Sequence, residues 1–335
     1  MKKMIAVFTS LMLGVLVFGN VAALSTANQS EAALSGSVVV YMPSPAGLAD
    51  KLAAGFEAQT GVKVEQFQGT TGEILARLEA EAANPVADVV ILASWADGLS
   101  MKSEGKLLSY EPANADLASW KDADNTIFGT SASAVGVIYN TTIFPTLSAD
   151  WDELAAPEYK DQLAIPDPEK SGAAKDFLAG YMNVKGEEAG WATFQALADN
   201  GMIVPGANKA ALEAVTTGEK GILVAGVDYN AYSSKAKGEP LDIYYPAGGT
   251  IVNPRPAMIL STSPNTDNAK AFIDYLYSDE AQQLVADAYL LPGRSDVTAD
   301  NRANLSDMPV LEGDWDWMME NSSAIAAKLN EICSK

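Results

Sequence analysis

The feature that most constrains the fold is an alternation near the front of the chain, where three short apolar runs are each followed at once by a turn and a helical pattern. Val38-Val39-Val40-Tyr41 passes through Met42-Pro43-Ser44-Pro45 into Leu48, Leu52, Ala53 and Phe56 at helical spacing, with Gly61 as the stop. Val62, Val64 and Phe67 make a second strand, and Gly69-Thr70-Thr71-Gly72-Glu73 leads into a helix bearing Ile74, Leu75, Leu78 and Ala82 that Asn84-Pro85 ends. Asp88-Val89-Val90-Ile91-Leu92 is the third, followed directly by Ala93-Ser94-Trp95-Ala96-Asp97. Continuous apolar runs suit strands buried on both faces of a parallel sheet, and the links are short enough for right-handed crossovers. The front of the chain is therefore a doubly wound α/β unit. In such sheets the ligand sits beyond the carboxyl ends of the strands. The loops after Tyr41, Phe67 and Leu92 converge there, and they carry Ser44, Thr70, Thr71 and Ser94 with no lysine or arginine among them.

Beyond Glu111-Pro112 the chain is irregular until Thr126 to Asn140, where Ala134 to Asn140 resumes a strand and crosses into a second lobe. A short helix begins at Trp151 and a strand follows at Leu163-Ala164-Ile165. The loop from Pro166 then ends in Ser171-Gly172-Ala173, the start of a helix with Phe177, Leu178 and Tyr181. Further helical patterns hold Ala189, Trp191, Phe194, Leu197 and Ala198, and then Asn208 to Val215. The apolar run Gly221 to Ala225 delivers Gly226-Val227-Asp228-Tyr229-Asn230-Ala231-Tyr232, a strand-to-helix turn rich in side-chain oxygen. Leu241 to Tyr245 and Thr250-Ile251-Val252 read as return strands. Met258-Ile259-Leu260 is a final strand before the helices Asn268 to Tyr277 and Asp279 to Tyr289. The pattern predicts two doubly wound α/β lobes joined by a two-strand hinge, with closure around a ligand as the natural motion. Lobe 1 is expected to span 36–130 plus about 250–300, lobe 2 to span 131–249, and the C-terminal helices 301–335 to pack across both.

Composition narrows the function. Lys2 and Lys3, the apolar run Met4 to Phe18 and the small residues Val21-Ala22-Ala23 read as an export signal at 1–23, cut after Ala23. No cysteine stands at that point to accept a lipid, so a free periplasmic protein is expected. The single cysteine, Cys333, excludes an intrachain disulfide framework. A net charge of −21 disfavours nucleic acid and anionic membranes as partners. The chain has no histidine, which removes Ser-His-Asp and Cys-His arrangements, ordinary zinc sites and imidazole bases. No enzymatic activity and no cofactor are expected.

The order of these elements resembles the type 2 periplasmic binding proteins, in particular the extracellular solute-binding family 1 proteins that feed ABC importers. The resemblance is carried by Val38 to Tyr41 with the phrase Phe56 to Val64, by Ala87-Asp88-Val89-Val90, by Ile165-Pro166-Asp167-Pro168, by Gly218-Glu219-Lys220-Gly221, and by the late phrase Ala269 to Gln282. It implies a monomer that binds a small molecule in its cleft, closes, and docks on a permease and ATPase complex in the inner membrane. Within the family, the chain is similar to the branch that holds ferric-ion, 2-aminoethylphosphonate and sugar-phosphate binders.

Two ligand chemistries follow. Ferric binders of this family commonly use two adjacent tyrosines at the position of the turn after Gly226. Here Tyr229 and Tyr232 are three apart on one helix face, and Tyr244-Tyr245 lies in a strand, where neighbours point to opposite sides. An iron site would have to draw on Tyr229, Tyr232, Asp228 and Glu73. The competing ligand is a small anion, a phosphonate or a phosphorylated metabolite such as a sugar phosphate. Thr70-Thr71-Gly72 and Ser171-Gly172-Ala173 both stand at helix N-termini, where free N–H groups favour negative charge. The same residues fit plain capping, with Thr70 and Glu73 as a capping box. Asp228 then suits an ammonium or hydroxyl group at the far end of the ligand, and Trp95 and Tyr41 are candidates to pack on its face. An exported enzyme or sensor partner on the same fold is the remaining alternative.

Overall fold

In the computed structural model of the protein, residues 34–334 are described, so the expected export signal lies outside the described residues. The chain runs β1 (Ser37–Met42), α1 (Ala46–Thr60), β2 (Lys63–Gln68), α2 (Thr71–Ala80), β3 (Val89–Ile91), α3 (Trp95–Ser103), β4 (Leu107–Leu108) and the long β5 (Phe128–Asn140). It continues through β6 (Leu163–Ala164), α4 (Gly172–Lys185), α5 (Glu187–Asp199), α6 (Asn208–Thr216), β7 (Ile222–Val227), α7 (Asp228–Ala236) and β8 (Leu241–Tyr244). The last elements are β9 (Val252–Leu260), α8 (Thr266–Leu276), α9 (Asp279–Asp287), β10 (Leu291–Pro292) and α10 (Trp315–Cys333).

The strands lie in the order β2-β1-β3-β9-β5-β7-β6, with β1 parallel to β2 and β3 as the apolar runs require. Side-chain alternation along β1 supplies both faces of the front half. Val38, Val40 and Met42 meet Leu52 and Phe56 of α1 and Phe272 of α8, while Tyr41 joins Ile74, Leu92 and Trp95 on the other side. The second half is centred on aromatics, with Trp151, Tyr181 and Phe194 around Phe177. Helix α10 packs against α3 of the front half and α4 and α5 of the second, and α3 also meets α4 directly.

Strand β5 joins the halves. Phe128 to Ala134 pair with β9, and from Val135 onward the same strand pairs with β7 and β8. Each of its thirteen residues is buried. The partner exchange falls between Ala134 and Val135. A second crossing runs through Thr250, whose hydroxyl donates to the Val135 carbonyl at 2.6 Å and whose backbone bonds Pro309 and Leu311.

Two expectations need correction. Thr250 to Val252 and Met258 to Leu260 are not separate strands, because β9 runs unbroken from Val252 through Pro254 and Pro256. The physical reason is one-sided. The Pro256 carbonyl accepts from Leu92 N, so the missing N–H groups of Pro254 and Pro256 face the β3 side, beyond the last β3 pair at Ile91 and Ala257. Prolines cost little where no neighbouring strand remains. The C-terminal region, expected to hold several helices, is a loop with one 3₁₀ turn at Leu305–Asp307 and a single α-helix, α10.

Candidate functional site

A cavity of about 260 Å³ opens between the halves at the carboxyl ends of the strands. The front half contributes Pro43, Gly69, Thr70, Thr71, Ala93 and Arg255, and the second half contributes Lys170 to Ala173, Ala207 to Lys209, Leu212, Val227, Tyr229 and Asn230. Four helices start on this wall: α2 at Thr71, α4 at Gly172, α6 at Asn208 and α7 at Asp228. The first two are capped by their own side chains, the Thr70 hydroxyl accepting from Glu73 N at 3.2 Å and the Ser171 hydroxyl from Ala174 N at 3.2 Å. α6, preceded by Ala207, has no side-chain cap, so its first N–H groups keep donor capacity toward the cavity, whereas in α7 the Tyr229 N–H is already taken by Asp228 Oδ1 at 2.8 Å.

Arg255 is the one buried cation of this wall, Lys170 and Lys209 being exposed. It stands in β9 between the two prolines, only 2% exposed. Its Nη2 donates to the Pro43 carbonyl at 2.9 Å, its Nε has no partner, and no carboxylate lies within ion-pair distance among the described residues. Burial pulls its pKa down, while Tyr229, whose ring centroid is 6.0 Å from the guanidinium, and the more distant Asp228 act to hold the charge. Asn208 at the start of α6 adds a buried Oδ1 with no donor. Lys170 stands at the rim, paired with Asp167 at 2.9 Å.

Of the residues singled out in the sequence, Thr70, Thr71, Ser171, Gly172, Ala173 and Tyr229 share this wall. Thr71 is spent partly on structure, its hydroxyl accepting from Ala93 N at 3.1 Å. The others do not join them. Ser44 is half-buried off the wall, one residue from Pro43. Glu73 is exposed and returns to its own helix end, its Oε2 accepting from Thr70 N at 2.7 Å. Gly72 faces the opposite half, and a Cβ there would come within 2.5 Å of the Glu169 carbonyl. Ser94 caps α3 and donates to Asp176 Oδ1 at 2.7 Å, and Trp95 is core. Tyr41 is also core, its hydroxyl donating to Glu81 at 2.7 Å.

The largest correction concerns Asp228. It is fully buried behind the cavity, paired with Arg302 Nη2 at 2.5 Å, and its oxygens also accept from Ala134 N, Tyr229 N and the Tyr245 hydroxyl. Burial pushes its carboxyl above the ordinary range, and Arg302 pulls against that shift. Tyr232 turns to the same network, 3.2 Å from the Tyr245 hydroxyl. Tyr229, Tyr232, Asp228 and Glu73 therefore do not converge on one point, and no three His, Cys, Asp or Glu side chains gather as metal ligands among the described residues.

Arg255 and Asn208 escaped the sequence reading. Arg255 had left a trace: it is the only charge in the nine-residue buried strand. The flanking prolines hid it by breaking the apparent strand in two. Arg302 left no local signal, because its partner lies 74 residues away.

Two α/β halves sharing a hinge strand and enclosing a cavity lined by helix starts and one unpaired guanidinium define a binding protein that closes on a small solute. Residues 84–321 match the family described as bacterial extracellular solute-binding protein, and the chain belongs to that family, the solute-binding components of ABC importers. Among its curated relatives is the "Putative 2-aminoethylphosphonate-binding periplasmic protein" of Salmonella typhimurium, 29% identical over 84% of each chain. Another is "Iron uptake protein A1" of Synechocystis sp., 27% identical over 71% of this chain and 70% of the relative. In fold the chain is similar to the periplasmic binding protein AfuA of Actinobacillus pleuropneumoniae, solved with fructose-6-phosphate, with a TM-score of 0.82, 22% identity and coverage of 89% and 99%.

Proposed function

We propose that the cavity takes one small solute carrying a phosphonate or phosphate ester group, with the anion against Arg255 and the open start of α6. The observation that carries this reading is the unpartnered Nε of a guanidinium that is 2% exposed. A buried charge without a counter-ion costs several kcal/mol, and an anionic ligand removes that cost on binding. Asn208 Oδ1 offers an acceptor to an ammonium or hydroxyl group elsewhere on the ligand, the role the sequence assigned to Asp228. Relatives and structural neighbours named for 2-aminoethylphosphonate and bound to fructose-6-phosphate support the same chemistry. The relative named for iron uptake keeps ferric iron as the competing ligand, and against it stands the scattering of the four oxygen donors.

On this reading the lobes divide where β5 changes partners, the exported chain acts as a free periplasmic monomer, and it hands its ligand to a membrane permease without altering it. Calorimetric titration tests it, using 2-aminoethylphosphonate, fructose 6-phosphate, inorganic phosphate and a ferric salt. The expected result is saturable binding of a phosphonate or phosphate ester that Arg255→Met weakens by about 3 kcal/mol, roughly a hundredfold. Saturable binding of ferric iron alone, with a tyrosinate colour, overturns it, as does unchanged affinity in Arg255→Met.

A further inference from the structure

Directly behind the cavity wall, a second polar cluster joins the halves. Asp176 of α4, fully buried, reaches across to the N-terminus of α3, accepting from the Ser94 hydroxyl at 2.7 Å and from Trp95 N at 2.8 Å. Its neighbour Lys175, 8% exposed, crosses the same boundary to Asp97 Oδ1 at 2.5 Å, and Asp97 Oδ2 is buried with no partner. Two buried carboxylates thus stand beside a single lysine that is paired with Asp97, while Asp176 is held by the Ser94 hydroxyl and Trp95 N. The remaining contact is steric and equally close, since a Cβ on Gly172 would stand 2.7 Å from the Ala93 carbonyl carbon and oxygen. Ala93 and Gly172 belong to the cavity wall, whereas Ser94, Asp97, Lys175 and Asp176 do not line it.

We propose that Asp97, Lys175 and Asp176 form a proton-loaded latch, which closes the two halves on each other without ligand and takes up one proton as it does so. The charge count motivates it. With both carboxylates ionised, the closed interface buries two negative charges against one positive, and one proton restores neutrality. The charged groups that face Asp176 are Asp97 of α3 and Lys175 of its own helix. α10, packed on both helices, buries only the uncharged Met318, Ser322, Ile325, Ala326 and Leu329. Strands β5 and β7 carry no charge, α5 keeps Glu187, Glu188 and Asp199 exposed, and the one charge of β9, Arg255, is bonded to the Pro43 carbonyl. Burial first, and Asp97 second, raise the Asp176 carboxyl to about 7 with the halves in contact as here, against the opposing pull of the Ser94 hydroxyl, Lys175 and Trp95 N. In an open form it faces water with an ordinary value near 4. The closed form therefore binds the proton more tightly, so closure is favoured at acid pH and weakens as pH rises from about 4 through about 7.

This inference rests on the hinge closure argued above, and not on the identity of the solute, so it is tested on unliganded protein. Spin labels at exposed Glu65 and Glu188, introduced as cysteines in a Cys333→Ser background, report the distance between the halves. The expected result is a closed-to-open ratio that falls roughly tenfold or more between about pH 5 and about pH 8. Asp176→Asn should flatten that dependence, and Asp97→Asn should move its midpoint to lower pH. A flat profile in the unmutated protein overturns the latch, and so does an Asp176→Asn profile that tracks it. If Asp176→Asn does not fold, the Asp97→Asn midpoint decides alone, and an unmoved midpoint overturns the latch. Failure of the anion titrations with the latch intact would discredit the ligand and leave the closure.

Discussion

At the residue scale, the acids and bases that matter are the ones removed from water. Asp228 and Arg302 are each fully buried at the point where β5 changes partners, and their bond ties α7 to the C-terminal loop. Neutralising the acid leaves a buried guanidinium with only the Tyr289 and Ala303 carbonyls. Asp228→Asn should therefore cost about 3–5 kcal/mol of stability in chemical denaturation. Solute affinity in the surviving folded protein should change far less than in Arg255→Met, whereas equal losses would place Asp228 at the ligand. Sequence reasoning assigned Asp228 to ligand contact because its local setting, a strand end that opens a helix, suits both roles. The choice depends on Arg302 and Tyr245, brought to it only by the fold.

At the element scale, the helix starts do two different jobs that look alike in sequence. Thr70 with Glu73, and Ser171, are ordinary caps, and Gly72 and Gly172 beside them set how closely the halves approach. Gly172→Ala improves helix propensity by up to about 1 kcal/mol, yet its Cβ meets backbone of the opposite half. Thermal stability should hold or fall, because the clash with backbone opposes the propensity gain, while solute affinity falls by roughly tenfold, about 1.4 kcal/mol. Unchanged affinity would show that the halves do not meet at Gly172 in the bound state. The elements themselves were largely legible, because continuous apolar runs such as Val38 to Tyr41 and helical spacing such as Leu48, Leu52 and Phe56 are local signals. β9 was legible only in pieces, since two prolines in a strand are tolerated for a reason that depends on where β3 ends.

At the scale of the whole molecule, the halves are joined by β5, by the Thr250 crossing and by α10, which packs on helices of both. The buried face of α10 includes Met318, Ile325 and Leu329, none more than 5% exposed. Removing the helix from Trp315 onward forfeits roughly 5–9 kcal/mol of apolar burial from these three side chains. Denaturation should then separate into two transitions, one for each half, where the full chain shows one. A truncated protein that still unfolds in a single transition at the same midpoint would show α10 to be dispensable. Within the described residues no helix is long and apolar enough to cross a membrane, and work with a permease is the role of the family as a whole.

The Pro254-Arg255-Pro256 segment carries a consequence for adapting the protein to other solutes. Two fixed backbone angles hold position 255 in place whatever side chain it bears, and the strand around it is anchored by pairs with β3 and β5. Position 255 can therefore be exchanged with little disturbance to the hinge, which makes it an interchangeable head on a rigid mount. A biosensor built on this scaffold would be retuned there first.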